Sequence, residues 1–182
     1  STFCVIALIA LLMRQVNPTV REMIGHRQLY DLGSWTMAFS CFMMYIGFSQ
    51  YMLIWYANIP EETVYMIERT EGGWEYVLAI LPLLKWIIPF FVLMPQGFRG
   101  HPLILILVAF FVLAGQWIDM YWMIYPVFFE TPAQAIPGIA ELGAFLALLG
   151  IFGVVIDRVY SKYSVLPMGD PYLQMSVDGS YL

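Results

Sequence analysis

Six polar side chains lie inside or at the edge of apolar stretches of this chain: Gln50, Glu75, Lys85, Gln116, Asp119 and Glu141. A charge at the centre of a bilayer costs about 2.5–3.5 kcal/mol even on lenient insertion scales, so each such group needs a partner or a task. These residue types suit two. Carboxylates and an amine can hand protons along, with amides holding water between them. Alternatively, Lys85 and Asp119 can neutralise each other and fix how two helices pack. The residues alone leave both readings open.

The elements that must carry these groups are apolar runs. Sixty-one per cent of the residues are hydrophobic and 12 % charged, with a mean hydropathy of +0.75, far from the composition of soluble domains. Five segments stand out, A to E: Ser1 to Met13, Ser34 to Asn58, Gly73 to Met94, Pro102 to Phe129 and Gly138 to Ile156. Roughly 20 apolar residues at 1.5 Å each match a hydrocarbon core of about 30 Å. Backbone in lipid must satisfy itself, and the runs do not alternate as barrel strands do, so an all-α integral membrane protein with five transmembrane helices is expected. Segment A lacks the basic flank and small-residue cleavage site of a signal peptide. At 13 residues it is also short for a span, and is expected to be the tail end of a helix whose start lies upstream.

Charge sorts by loop. Arg14, Arg21 and Arg27 precede segment B, Arg99 lies between C and D, and Arg158 and Lys162 follow E; the opposite side has Arg69 alone. That bias places the A–B loop, the C–D loop and the C-terminus in the cytoplasm. Counted from the other face, Lys85 and Gln116 lie roughly 18 Å deep, Asp119 and Gln50 roughly 12–14 Å, and Glu75 and Glu141 within about 5 Å of the surface. C and D are joined by a short loop, so Lys85 and Asp119 are expected to pair. Pro89 removes the amide that would bond the Lys85 carbonyl, and Pro82 does the same for Leu78, which predicts a kink at the lysine. Between B and C, Pro60, Glu61, Glu62 and Arg69 suit a short interfacial helix. Trp55, Tyr56, Trp74, Tyr76, Tyr121, Trp122 and Tyr125 suit an interfacial aromatic belt. A stripe of Ala140, Gly143, Ala144, Ala147 and Gly150 on E suits close approach of another helix.

Several chemistries are excluded by residue type. The two histidines, His26 and His101, fall outside the apolar runs, so a bis-histidine haem within the bundle is not available. There is no CxxC, no HExxH and no glycine-rich phosphate loop, so no metal site is expected. Cys4 and Cys41 sit in apolar surroundings and read as small hydrophobes. No basic run points to nucleic acid.

The stretch AFSCFMMYIGFSQYMLIWYANIPEE (38–62), followed by Gly72-Gly73-Trp74, resembles the second of the two polysulfide-reductase-like (NrfD-like) membrane subunits of bacterial alternative complex III. The approach HRQLYDLGSW, the segment Gln116-Trp-Ile-Asp-Met-Tyr-Trp and the closing LPMGDPYLQMS are similar too. The resemblance implies a subunit about twice this long with ten helices. Segments A–D (1–129) would be its second four-helix bundle, E (138–156) a peripheral helix, and 157–182 a cytoplasmic tail. It implies an inner-membrane complex that oxidises menaquinol and passes electrons through iron–sulfur clusters and c-type haems in other subunits. Its expected partners are the paralogous membrane subunit, an iron–sulfur/molybdopterin-type periplasmic subunit, c-type cytochromes, lipids and a terminal oxidase. Quinol oxidation is ascribed in that family to the paralogue, leaving this chain with architecture and proton movement. The implied proton-path residues are Asp119, Lys85, Glu141, Gln50, Glu75 and Gln116. Rival readings are a chain that itself oxidises quinol with Asp119 or Glu75 as base, a structural scaffold, and an ion transporter on an unrelated bundle.

Overall fold

The computed structural model describes residues 1–135, 138–162 and 171; the closing LPMGDPYLQMS motif lies, but for Pro171, outside them. Among the described residues there are helices and no strand. The first is α1 (Thr2–Val16), followed by a short α2 (Pro18–Met23) and then α3 (His26–Ala57). Next come α4 (Pro60–Glu68), α5 (Trp74–Pro82), a π turn (Leu83–Ile87), α6 (Ile88–Leu93) and α7 (Gln96–Arg99). The last are α8 (Pro102–Ile124), a 3-10 turn (Tyr125–Val127) and α9 (Ile139–Lys162). Four stretches are long and apolar enough to cross a membrane: His26–Ala57, Trp74–Leu93, Pro102–Val127 and Ile139–Lys162. The apolar α1, at 15 residues, is shorter. These are the features of an all-α, multi-pass membrane protein.

The chain forms two compact units, Ser1–Gln134 and Ala135–Leu182. In the second unit, α9 runs six residues beyond the expected end at Ile156, so 157–162 are helical. In the first, α1 packs on α8 and α3, α3 packs on α6 and the π turn, and α5 and α6 both pack on α8. Its core gathers Cys4, Leu11, Leu29, Leu93, Leu105 and Val108, all buried, in the half of the bundle that ends at α7. Gly33 lets α3 lie against α7, since a Cβ there would sit 2.5 Å from the Arg99 carbonyl oxygen. Arg99 closes that end: its Nε donates to Leu93 O at 2.7 Å and one terminal nitrogen to the Tyr30 hydroxyl at 3.2 Å.

Helix α3 begins at His26, eight residues before the expected Ser34. The basic approach HRQLYDLG is helical because the Gln28 side chain accepts the Gly25 N–H at 3.0 Å, closing the first turn. It ends at Asn58, which takes a left-handed φ of 47°. The interfacial helix forms as α4, with Pro60 at its start and Glu61 and Glu62 in its first turn. Arg69 lies just beyond it, only 4 % exposed. Gly72 and Gly73 have φ of 66° and 98°. A Cβ on Gly72 would collide with the Glu130 carbonyl, so the turn into α5 requires glycine.

The aromatic belt divides. Trp55, Tyr56 and Tyr76 are exposed, but Trp74 and Trp122 are buried. Each indole spends its N–H on a carbonyl, Trp74 on Phe129 O at 3.3 Å and Trp122 on Arg69 O at 3.1 Å. Tyr121 packs at a tilt against Trp74 and donates its hydroxyl to Pro132 O at 3.0 Å. These rings plug the α4 end of the bundle instead of ringing it, a correction that composition could not supply.

Between the two prolines, where the kink was expected, the helix carries a π turn, and helical phase explains it. Trp74 and Leu81 are buried seven residues apart, about 700° of helix, and so share a face. Pro89 is buried eight residues after Leu81, about 800° on, which would leave it about 80° off that face in a regular α-helix. A π turn absorbs one extra residue and returns Pro89 and Leu93 to the buried stripe. The Ile88 N–H accordingly reaches back to Leu83 O. Lys85 stands in the middle of this turn.

Candidate functional site

Lys85 of the π turn and Asp119 of α8 form a direct ion pair, Nζ to Oδ2 2.7 Å, with side chains 16 % and 21 % exposed. Close approach of the two helices makes this possible. Gly115 lies four residues before Asp119, hence on the same face of α8. A Cβ there would be 2.8 Å from Lys85 Cγ and 3.0 Å from Leu84 Cβ.

The pair forms the floor of a cavity of about 360 Å³ between the later half of α3, α4, α5, the π turn and α8. Its walls include Met43, Gly47, Gln50, Tyr65, Trp86 and Trp122. No residue of α3 beyond Ser40 is buried, and this half of the helix forms one wall of the space. Gly47 has nothing within 4 Å of a Cβ position and widens it further.

Two further features extend the polar line. Towards α4, Gln50 and Tyr65 also border a surface recess that carries Glu61 and Glu62. On the other side of Lys85, a void of about 20 Å³ is bordered by Gln116, Ser40, Thr36 and Cys4. That volume suits a single water-sized group. The Thr36 side chain is buried there beside Cys4. A polar sequence therefore runs Glu61/Glu62, Gln50, Asp119, Lys85, Gln116.

Of the six residues singled out in the sequence, Gln50, Lys85 and Asp119 line one cavity and Gln116 adjoins it across Lys85. Glu75 does not line it: its carboxylate is exposed and accepts the Gly73 N–H at 3.0 Å, closing the first turn of α5. Glu141 belongs to α9, in the second unit, with a carboxylate oxygen beside Gly138. Sequence reasoning missed Gly115 and Tyr65. A glycine one turn before a membrane aspartate was the available signal for the first. Nothing in the sequence marked Tyr65, which faces the cavity only because α4 folds back over it.

Among the described residues, no three His, Cys, Asp or Glu side chains come together as metal ligands. His26 lies against Gly100 and His101 precedes α8; neither borders the cavity. No protein-family model matches this chain, and no curated protein matches it.

Proposed function

We propose that this chain is a non-haem integral membrane subunit of a quinol-oxidising respiratory complex of the alternative complex III type. In this reading α1, α3, α5–α6 and α8 form the second NrfD-like bundle. Helix α1 is the first span of that bundle and α9 a peripheral helix. The α4 end faces the periplasm, and the C-terminus lies in the cytoplasm of a bacterial inner membrane. Menaquinol oxidation, iron–sulfur clusters and c-type haems belong to partner subunits.

The task of this subunit is to hold the complex together and to provide a proton half-channel from the periplasmic side. The observation that carries it is the Lys85–Asp119 pair at the floor of a cavity whose wall holds Gln50. Taking both charges fully out of water would be costly, and this pair keeps partial exposure, 16 % and 21 %. Here the carboxylate borders a space large enough for several waters, and Asp119 and Lys85 can exchange protons with them. Gln50 orients those waters from above and Gln116 receives the chain below.

Replacing Asp119 by Asn in the intact complex, reconstituted into vesicles, tests this. Proton release per electron should fall at least several-fold while the KM for quinol stays within about twofold. Unchanged proton stoichiometry would refute the half-channel.

One observation favours a second reading. A cavity of about 360 Å³ with Trp86, Trp122, Tyr51 and Met43 on its walls falls within the size and chemistry of small-molecule sites. A quinol ring seated there would place a hydroxyl near Asp119, making this chain the oxidising subunit. In that case the same variant would raise the KM and stop electron transfer.

A further inference from the structure

Lys85 is held at two points by α8, and they lie one turn apart. Its stem crosses the helix at Gly115, where Cγ occupies the place a side chain would take. Its ammonium ends on Asp119, at 2.7 Å. Four residues of α-helix span about 6 Å; the three bonds from Cγ to Nζ cover part of it, and the Asp119 side chain, tilted toward the helix N-terminus, covers the rest. The π turn supplies the other half of this fit. By absorbing one residue it holds Leu84 and Lys85 against α8 while Leu81 and Pro89 on either side stay on the buried stripe.

We propose that Gly115 is a positioning residue of the proton path: together with the π turn it forms a seat that lays the lysine stem flat on α8 and sets the ammonium on Asp119. The inference rests on the half-channel reading above and goes beyond it, because it assigns the geometry of the pair to a residue without any polar atom. A methyl at position 115 cannot be absorbed by a small rotation of a free chain end. Its nearest neighbours are the second carbon of the lysine stem and the β-carbon of Leu84, both tied to the π-turn backbone. The stem must lift from α8, and the ammonium then leaves Asp119.

The experiment compares Gly115→Ala, Lys85→Met and the combined variant in the intact complex. Two readouts are taken: proton release per electron in vesicles, and the infrared carboxylate band of Asp119, assigned by its loss in Asp119→Asn. Gly115→Ala should shift the carboxylate band as Lys85→Met does, and should lower proton release to within about twofold of that variant. The combined variant should show no additional loss, since both changes break the same link. An unshifted band in Gly115→Ala overturns the proposal, as does a further loss in the combined variant. Should Lys85→Met release protons like the wild type, the half-channel fails, yet the infrared band still decides the seat. If Gly115→Ala does not accumulate, Gly115→Ala combined with Lys85→Ala, which has no Cγ, and Asp119→Leu, which leaves no stranded charge, should accumulate; equal failure of the two would refute the seat.

Discussion

The guanidinium of Arg69 reaches two carbonyls from different helices, Tyr65 O at 2.9 Å and Met123 O at 2.8 Å, while lying 3.7 Å over the Tyr65 ring. Both acceptors lie near helix C-termini, where carbonyls lack intrahelical partners and the dipole favours a cation. The Arg69 carbonyl in turn receives the Trp122 indole. One residue thus ties α4 to α8 and shapes the roof of the cavity. A lysine has neither the planar fork nor the reach for both carbonyls. Arg69→Lys is expected to lower stability by about 2 kcal/mol, the scale of a lost charge-assisted hydrogen bond. Thermal unfolding of the purified protein in detergent checks it, and an unchanged midpoint would show that the contact is dispensable. In the sequence Arg69 counted as the one basic residue in its loop and as the end of an expected short helix. Its burial could not be read there, because Met123 lies 54 positions away.

At the scale of elements, the stretch from Trp74 to Leu93 depends on having one residue more than a regular helix accommodates. Inserting one alanine after Ile87 adds a second surplus residue and should turn everything after it by about 100°. Pro89 and Leu93 would then leave the core, and Arg99 would lose the Leu93 carbonyl it caps. The expected cost is about 3 kcal/mol or more, the scale of exposing a buried leucine and breaking a cap. Pro89→Ala keeps the residue count and should cost less than half of that. The measurement is the fraction of each variant that elutes folded from detergent; equal fractions would refute the phase argument. The prolines were visible in the sequence and marked the right place. What they did there was not, since proline tolerates either a kink or a widened turn and neighbouring helices choose.

For the whole molecule the open question is what the ion pair does for assembly. Removing one partner of a buried pair strands the other, at about 3–5 kcal/mol, while replacing both by apolar groups is often neutral. Lys85→Met and Asp119→Leu are each expected to reduce assembly of the complex, and the double replacement to restore it with proton release still low. Restored assembly together with normal proton release would leave the pair a packing device only. Blue-native electrophoresis reads the first quantity and vesicle acidification the second.

Composition by itself determined that this chain is helical and built for lipid, because a backbone without water admits few other solutions and the apolar runs are long enough to count. Depth along those runs put Lys85 and Asp119 within reach of each other for the same reason: helix rise is constant. Which polar groups share a space was decided only in three dimensions. Glu75 turned to its own helix cap, Gln50 joined the cavity wall with Lys85 and Asp119, and a glycine became part of the site. Rotation about a helix axis and the separation between helices come from side chains far apart in the chain, and no local pattern encodes them.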